Sequence, residues 1–438
     1  MRSLRVSEPS RVVTGNFPLH RAKLPSGLRL LILPLAGTST VTFFLVVRTG
    51  SRHETPGLAG VSHFLEHLFF KGSRKRPSTR AISETIDGVG GEMNAFTSKE
   101  WTAFYAKASA RHAELLVDVI SDMVLHPLLD AKEIDRERGV VIEEINMYED
   151  TPMKSVGEYF EETLFGRHAL AHPIIGTKEN LSRFPREEIL RYLKRQYRAQ
   201  SAVACLAGDV DPADGIALLR RALRAFPGGR AAPPTAFRRS FGRERLRLKE
   251  KKTDQTHVVI GAPGISFLHR DRPVFDLASA ILGGGMSSRL FLEVRERRGL
   301  AYAVRTSPEY FVDAGYVATQ AGVDTRKLLE ASRVILREHA RLRDTKPSQA
   351  ELNKAREFVK GRLLLALEAS DDVAQFAALQ EILLNRILMP DDIFRLLDAV
   401  EPSDVQRAAK RYFADRQFRL VAIGPSLPER ELTHVLSR

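Results

Sequence analysis

The sequence predicts an α+β protein made of two duplicated α/β domains, each a sheet covered by helices. Three observations lead there. The chain has 438 residues, 43% of them hydrophobic and 28% charged, and because a single core stops growing near ~250–300 residues, so long a globular chain needs more than one. Strand-like and helix-like apolar periodicities alternate along it. The third observation is an internal echo. PREEILRYLKRQYRAQSAVACLAGDV (185–210) and PSDVQRAAKRYFADRQFRLVAIGP (402–425) each read as a helix opened by proline, then a strand ending in glycine. Matching positions are separated by nearly constant offsets (402 − 185 = 217, 412 − 197 = 215, 424 − 208 = 216), which marks a duplicated unit of roughly 200 residues.

In chain order, the first half reads as strands over 28–33 and 41–48, helices over 60–70 and 78–89, and a strand over 102–108. Helices over 111–125 and 131–148 follow. PGGRAAPP (227–234) is dense in turn formers and precedes a basic, weakly patterned stretch, so the seam falls there. The expected division is 1–228 for an N-terminal domain, 229–243 for a linker and 244–438 for its C-terminal homologue. The second half repeats the mix, with helices over 274–282, 325–341, 348–369 and 373–387.

Composition narrows the function classes. No apolar run reaches the ~18 residues of a membrane span, so no membrane association is expected. The single Cys205 excludes an intramolecular disulfide framework and a multi-cysteine metal site, and with no signal-peptide pattern the expected location is the cytoplasm. Arg2, Arg5 and Arg11 faintly resemble a transit segment, interrupted by Glu8 and Pro9. Lys plus Arg outnumber Asp plus Glu by 67 to 54, a formal +13. The basic runs over 71–76 and 295–298 lack interleaved aromatics, so they read as solvated faces and no nucleic-acid partner is expected.

One motif carries chemistry. His63-Phe64-Leu65-Glu66-His67 is an H-x-x-E-H pattern inside a helix, the reverse of H-E-x-x-H. At ~100° per residue, His63 and His67 lie one turn apart and about 40° apart around the axis, so both imidazoles can reach one cation. Glu66 then sits beside that cation as a base. A catalytic zinc takes three protein ligands and leaves a fourth position for water. The helix over 131–148 offers Glu137, Glu143 and Glu144 as the third. Glu137 and Glu144 share a face two turns apart, and Glu143 points about 100° away from Glu144. We select Glu144 as ligand and Glu137 as the acid supporting an imidazole N–H. A plain surface helix carries as many acids, so this choice needs a second signal.

That signal is a resemblance over nearly the whole chain. GVSHFLEHLFFKGS (60–73), GGEMNAFTSKEWTAFY (90–105), ERGVVIEEINMYEDTP (137–152) and GGGMSSRLFLEVRERRGLAY (283–302), in this order, resemble the pitrilysin-type (inverzincin) metallopeptidases. The branch most similar is the short bacterial proteins related to mitochondrial processing peptidase. The resemblance implies two mostly antiparallel sheets covered by helices. It implies one Zn²⁺ per chain, held by His63, His67 and Glu144, since the family's spacing from second histidine to glutamate ligand falls on Glu144 (144 − 67 = 77). It further implies Glu137 as the supporting acid and Glu66 as the catalytic base.

The remaining implications concern substrate and assembly. Asn94 and Ala95 fall where such proteins pair an edge strand with an extended peptide, a mode in which backbone hydrogen bonds hold any sequence. Arg295 and Tyr302 match the family's arginine and tyrosine that reach the substrate carbonyl or backbone. The expected activity is zinc-dependent endopeptidase cleavage of short or unfolded peptides. The expected assembly is a homodimer, or a heterodimer with a metal-free homologue, and the alternative function is that of a non-catalytic partner subunit. At the repeat offset of 216 the metal motif falls on Ser279, Leu282 and Gly283, so the second half has no metal site. Gly283–Gly285 lack the G-K-[S/T] of a phosphate loop and read as a flexible turn. Processing peptidases recognise a substrate arginine with acids at two positions occupied here by Lys154 and Glu158, which argues against the same selection.

Overall fold

The computed structural model describes residues 17–437, so the segment with Arg2, Arg5 and Arg11 lies outside the described residues. Two sheets organise the chain. The first comprises β1 (His20–Lys23), β2 (Arg29–Pro34), β3 (Thr40–Val47), β4 (Glu92–Thr97), β5 (Thr102–Ser109) and β6 (Ala202–Gly208), in the order β1-β2-β6-β3-β5-β4. The second comprises β7 (Leu246–Glu250), β8 (Thr256–Pro263), β9 (Ala301–Tyr310), β10 (Gly315–Val323) and β11 (Arg419–Gly424), in the order β7-β11-β8-β10-β9. Every pairing is antiparallel except β2 with β6 and β7 with β11. The odd parallel pair stands at the equivalent place in both sheets, and β3 and β8 begin 216 residues apart (256 − 40 = 216). The duplication read from the sequence is therefore present in the topology, and the mostly antiparallel α+β architecture is the one expected.

Local sequence explains the layers. TVTFFLVV of β3 and AVACLAG of β6 are almost wholly buried, the mark of strands covered on both faces. Edge strand β9 alternates buried and exposed residues and accommodates Pro308, whose missing N–H is tolerated at a sheet edge.

The two compact units are each discontinuous in sequence. The first holds residues up to Ile145, His172–Thr235 and Leu364–Asp391. The second holds Asn146–Ala171, Ala236–Leu363 and everything from Asp392. Thus the sheet of the first unit is covered by the helix Ser370–Leu384, which packs on β3 and β6, buries Ala374, Ala377 and Ala378, and bonds Ser370 Oγ to Thr42 Oγ1 of β3 at 2.8 Å. Arg29 on β2 secures its C-terminal end. Its Nη1 donates to the Glu381 carbonyl at 2.8 Å and to Asn385 Oδ1 at 2.7 Å and pairs with the Glu381 carboxylate at 3.2 Å, placing a cation at the last turn, where the helix dipole favours it. In the second unit the helix Pro152–Phe165 covers β8 and β11, burying Val156, Phe160, Leu164 and Phe165 against Val259, Val421 and Ile423. A Cβ on Gly261 would come within 2.6 Å of the Phe160 ring, so glycine permits that contact. The covering helices start 218 residues apart (370 − 152 = 218), so they are copies of one element, each sitting in the unit built from the other half of the chain. The contiguous division at 228 and 244 follows sequence order, whereas compactness follows this exchange. Among the described residues no helix is long and apolar enough to cross a membrane.

Candidate metal centre

The helix Val61–Phe69 carries both histidines, and its start is fixed by backbone geometry. Gly60 adopts φ +101°, and a Cβ there would meet Gly176 Cα at 2.7 Å, so both conformation and space require glycine. The buried Glu54 carboxylate accepts from the backbone N–H groups of Gly60 and Ser62, each at 2.7 Å, a favourable place for an acid at a helix N-terminus. Burial pushes the Glu54 carboxyl up to about 7.

One turn apart, as the spacing requires, the imidazoles of His63 and His67 have ring centroids 4.7 Å apart. The long helix Ala131–Asp150 brings Glu144 to them, with Oε2 at 3.4 Å from His67 Nε2 and 3.8 Å from His63 Nε2. Ligand atoms of His63, His67 and Glu144 all lie within 4.8 Å of one another, the one such grouping among the described residues. A tetrahedron with ~2.1 Å bonds has edges of roughly 3.4 Å, so two nitrogens and one carboxylate oxygen at these separations fit a zinc ion. On the same helix face Glu137 Oε1 meets His67 Nδ1 at 2.9 Å, leaving Nε2 to face Glu144. Glu137 Oε2 lies 2.5 Å from Lys71 Nζ. His63 Nδ1 is buried with no partner.

Electrostatics follow from this packing. Burial, with the neighbouring His67, lowers His63 to about 4. For His67 burial also acts downward, but hydrogen bonds to Glu137 and Glu144 outweigh it and lift the imidazole to about 9. Glu137 is pushed up by burial, yet hydrogen bonds from His67 and Lys71 prevail and hold it below the ordinary carboxylate value. The two carboxylates thus draw positive charge to the imidazole pair, a demand that a divalent cation meets. Glu66 is 9% exposed, and burial raises its carboxyl. The Thr97 hydroxyl donates to Glu66 Oε2 at 2.6 Å.

Thr97 ends β4, the outer strand of its sheet, which pairs only with β5. Asn94 is exposed on that strand, Ala95 is buried, and Asn94 Oδ1 accepts from the Ala95 backbone N–H at 2.9 Å. The edge bearing both residues therefore runs up to the side chain that holds Glu66. Arg295 and Tyr302 belong to the second unit. Arg295 lies in a π-helical turn, Phe291–Glu296, and its guanidinium stacks 4.8 Å from the ring centroids of both Phe291 and Tyr302. Tyr302 is 77% exposed. Ser279, Leu282 and Gly283 are buried in the helix Arg272–Gly283 and bring no ligand together. Lys154 and Glu158 fall on the helix Pro152–Phe165 of the second unit.

Sequence reasoning gave no role to Thr97, Lys71 or Glu54. The first two left signals, since Thr97 closes the Asn94–Thr97 segment and Lys71 stands four residues after His67. Lys71 opens the basic run read as a solvated face, yet the run is spent on ion pairs: Lys71 with Glu137, and Lys75 and Arg76 with Asp118. Glu54 lies outside any periodic element and gave none.

Known proteins resemble this chain over most of its length. A family model described as insulinase (peptidase family M16) matches residues 31–178, and one described as the peptidase M16 inactive domain matches 183–359. The chain is 36% identical to an uncharacterized zinc protease of Streptomyces coelicolor, covering 93% of this chain and 90% of that protein. It is 34% identical to the uncharacterized zinc protease YmxG of Bacillus subtilis, over 93% and 98%. With the mitochondrial-processing peptidase subunit beta of Blastocladiella emersonii it shares 30% identity, over 92% and 88%. A crystal structure of a protease from Helicobacter pylori, 23% identical, matches the fold with a TM-score of 0.86 over 94% of this chain and 100% of that one.

Proposed function

This chain belongs to the insulinase family of peptidases, M16, and from that premise we propose that it is a zinc-dependent endopeptidase acting on short or unfolded peptides. The observation that carries the reading is the convergence of His63, His67 and Glu144 beside a buried, hydrogen-bonded Glu66. A zinc ion held by the three would supply Lewis-acid polarisation of the scissile carbonyl and acidify a water molecule. Glu66 takes the proton of the attacking water and passes it to the leaving amine. Its burial favours both transfers, because a carboxylate with a raised pKa is a stronger base at neutral pH and a ready acid afterwards. Thr97 fixes the Glu66 carboxylate through its hydroxyl. Glu137 keeps the His67 ring in one tautomer and orientation. The free edge of β4 at Asn94 and Ala95 holds an extended peptide by strand addition, which selects for unfolded segments over folded ones. Arg295 and Tyr302 contact the substrate backbone; their support is the shared motif and the exposed, mutually stacked pair.

The test is Glu66→Gln, which keeps the shape of the side chain and removes the base. Hydrolysis of a quenched peptide should fall ~10²–10⁴-fold, while the zinc content of the purified protein stays at one per chain. Undiminished cleavage would overturn the role of Glu66. A wild-type chain that binds zinc yet stays inert alone and becomes active with a homologue would replace the proposal with that of a partner subunit. Solution mass measured alongside decides between a homodimer, which we propose, and other assemblies. The single buried Cys205 supports a cytoplasmic location.

A further inference from the structure

The inner side of the histidine-bearing helix is polar where packing alone would favour apolar residues. Ser62 and Glu66 stand four residues apart and share one stripe, about 100° around the axis from the stripe of His63 and His67. Both are buried, and so are three hydroxyl-bearing residues near them, Thr49, Thr102 and Tyr192. A buried hydroxyl costs free energy unless it is hydrogen-bonded, so each of these needs a partner.

The partners are one another. The Tyr192 hydroxyl, from the helix Arg186–Gln196, lies 2.7 Å from Ser62 Oγ and 3.0 Å from Oγ1 of Thr49, just past the end of β3. A phenol both donates and accepts, so one O–H bridges the two. Burial and the Glu54 carboxylate hold its pKa above the ordinary value, which keeps that proton in place. The Thr102 hydroxyl on β5 donates to the Thr49 carbonyl at 2.9 Å. Thr102 is the strand partner of Thr97 on β4, and Thr97 donates to Glu66. The path therefore closes on itself: Ser62, Tyr192, Thr49, Thr102, Thr97, Glu66, and one helical turn back to Ser62. Thr97 Oγ1 and Thr102 Oγ1 are 3.4 Å apart and each gives its proton elsewhere, so strand pairing makes that link. Ser62 is held by its backbone too, through the N–H that the Glu54 carboxylate accepts.

We propose that Tyr192 is a positioning residue for hydrolysis, its hydroxyl closing a ring of buried contacts that fixes the Glu66 carboxylate relative to β4, the strand offered to the peptide. The inference rests on the reading of Glu66 as the base. Thr97 by itself ties the helix to the sheet at one point, about which the helix can still pivot. The tie through Ser62, Tyr192 and Thr49 lies one turn away and removes that freedom. A base displaced by ~1 Å can cost ~10²-fold in rate, so a second tie has a catalytic consequence. Buried hydroxyl networks whose members are all satisfied rigidify the place they occupy. Tyr192 acts through Ser62 and Thr49 rather than on the substrate, and all six residues of the ring belong to the first unit.

Tyr192→Phe removes the bridging hydroxyl and keeps the aromatic ring that fills the core. In steady-state hydrolysis of a quenched peptide by the full-length, zinc-loaded chain, its kcat should fall at least tenfold with KM within twofold and zinc still at one per chain, as for a contact that counts only in the transition state. Thr49→Val should do the same, while Thr49→Ser, which keeps the hydroxyl, should retain at least half of kcat. Either break opens the same ring, so the double variant Tyr192→Phe, Thr49→Val should match the more damaged single variant within twofold. Tyr412→Phe deletes a buried hydroxyl of the second unit, outside the ring, and should keep the wild-type kcat. Amide exchange read by mass spectrometry needs no activity: Tyr192→Phe should speed exchange over residues 62–67 at least fivefold and leave β8 unaltered. Unchanged kcat or unchanged exchange in Tyr192→Phe, fully multiplicative losses in the double variant, or an equal loss in Tyr412→Phe would overturn the proposal. A wild-type chain that binds zinc but cleaves nothing would instead overturn the peptidase reading, and exchange alone would then decide the ring.

Discussion

Lys71 stands two residues past the end of the histidine-bearing helix, and its ammonium holds Glu137, which in turn holds His67. Neither group touches the place between the imidazoles and Glu144, yet both set the direction of His67 Nε2 and the negative charge behind it. Partners of a metal ligand typically change metal affinity 10–100-fold. Lys71→Met should therefore weaken zinc binding by about tenfold, measured by competition with a chromophoric chelator, while the fold stays intact by circular dichroism. Unchanged zinc affinity would show that Glu137 holds His67 without help. The H-x-x-E-H spacing by itself places His63, Glu66 and His67 together, because one helical turn dictates which side chains are neighbours. It said nothing of Thr97, whose contact with Glu66 crosses 31 residues and exists only because β4 packs beside that helix.

Helices in both units are ordered by what they bury. The helix Leu328–Asp344 turns His339 into the core of the second unit, where it packs edge-on against Phe413 and Phe418 and meets Thr319 Oγ1 at 3.0 Å through Nε2. No charged side chain pairs with it, and burial depresses its pKa to about 3. The unfolded chain, with a histidine near 6.5, binds a proton that the folded chain refuses. Stability from this group is therefore whole above about pH 6.5 and is lost as pH falls toward 3, with a slope approaching ~1.4 kcal/mol per pH unit. His339→Leu removes the titrating group, and Thr319 keeps Thr306 as a hydroxyl partner at 2.8 Å. Its denaturant-unfolding midpoint should fall less steeply between pH 6 and 4 than that of the wild type. Parallel curves would show that the acid sensitivity lies elsewhere. Periodicity placed this helix at 325–341, within three residues at each end, since an apolar stripe identifies a helix well and its termini poorly.

At the scale of the molecule, the exchange of covering helices governs what can fold alone. A chain ending at residue 228 contains all six strands of the first sheet and the whole proposed zinc site, but not the helix Ser370–Leu384 that lies on β3 and β6. Its sheet would expose an apolar face that the native chain buries, and such a fragment should show weak near-ultraviolet circular dichroism, bind a hydrophobic dye and aggregate. Fusing residues 364–391 to its C-terminus should restore the dichroism. A well-packed, soluble 1–228 fragment would refute this account. The duplication was legible because a repeated helix–strand unit leaves matching prolines, tyrosines and glycines at one offset. The exchange was not, because a helix with apolar residues on several sides reads the same whichever sheet it covers.

From order and spacing alone, the amino-acid sequence determined the two-fold repeat, the sheet-plus-helix class and the pair of histidines with its adjacent glutamate, since these depend on local periodicity. Tertiary structure decided which glutamate of the long helix faces the imidazoles, that Thr97 and Lys71 serve the same centre, and which unit each covering helix belongs to. All of these are contacts between segments far apart in the chain, where packing and not residue spacing sets the distance.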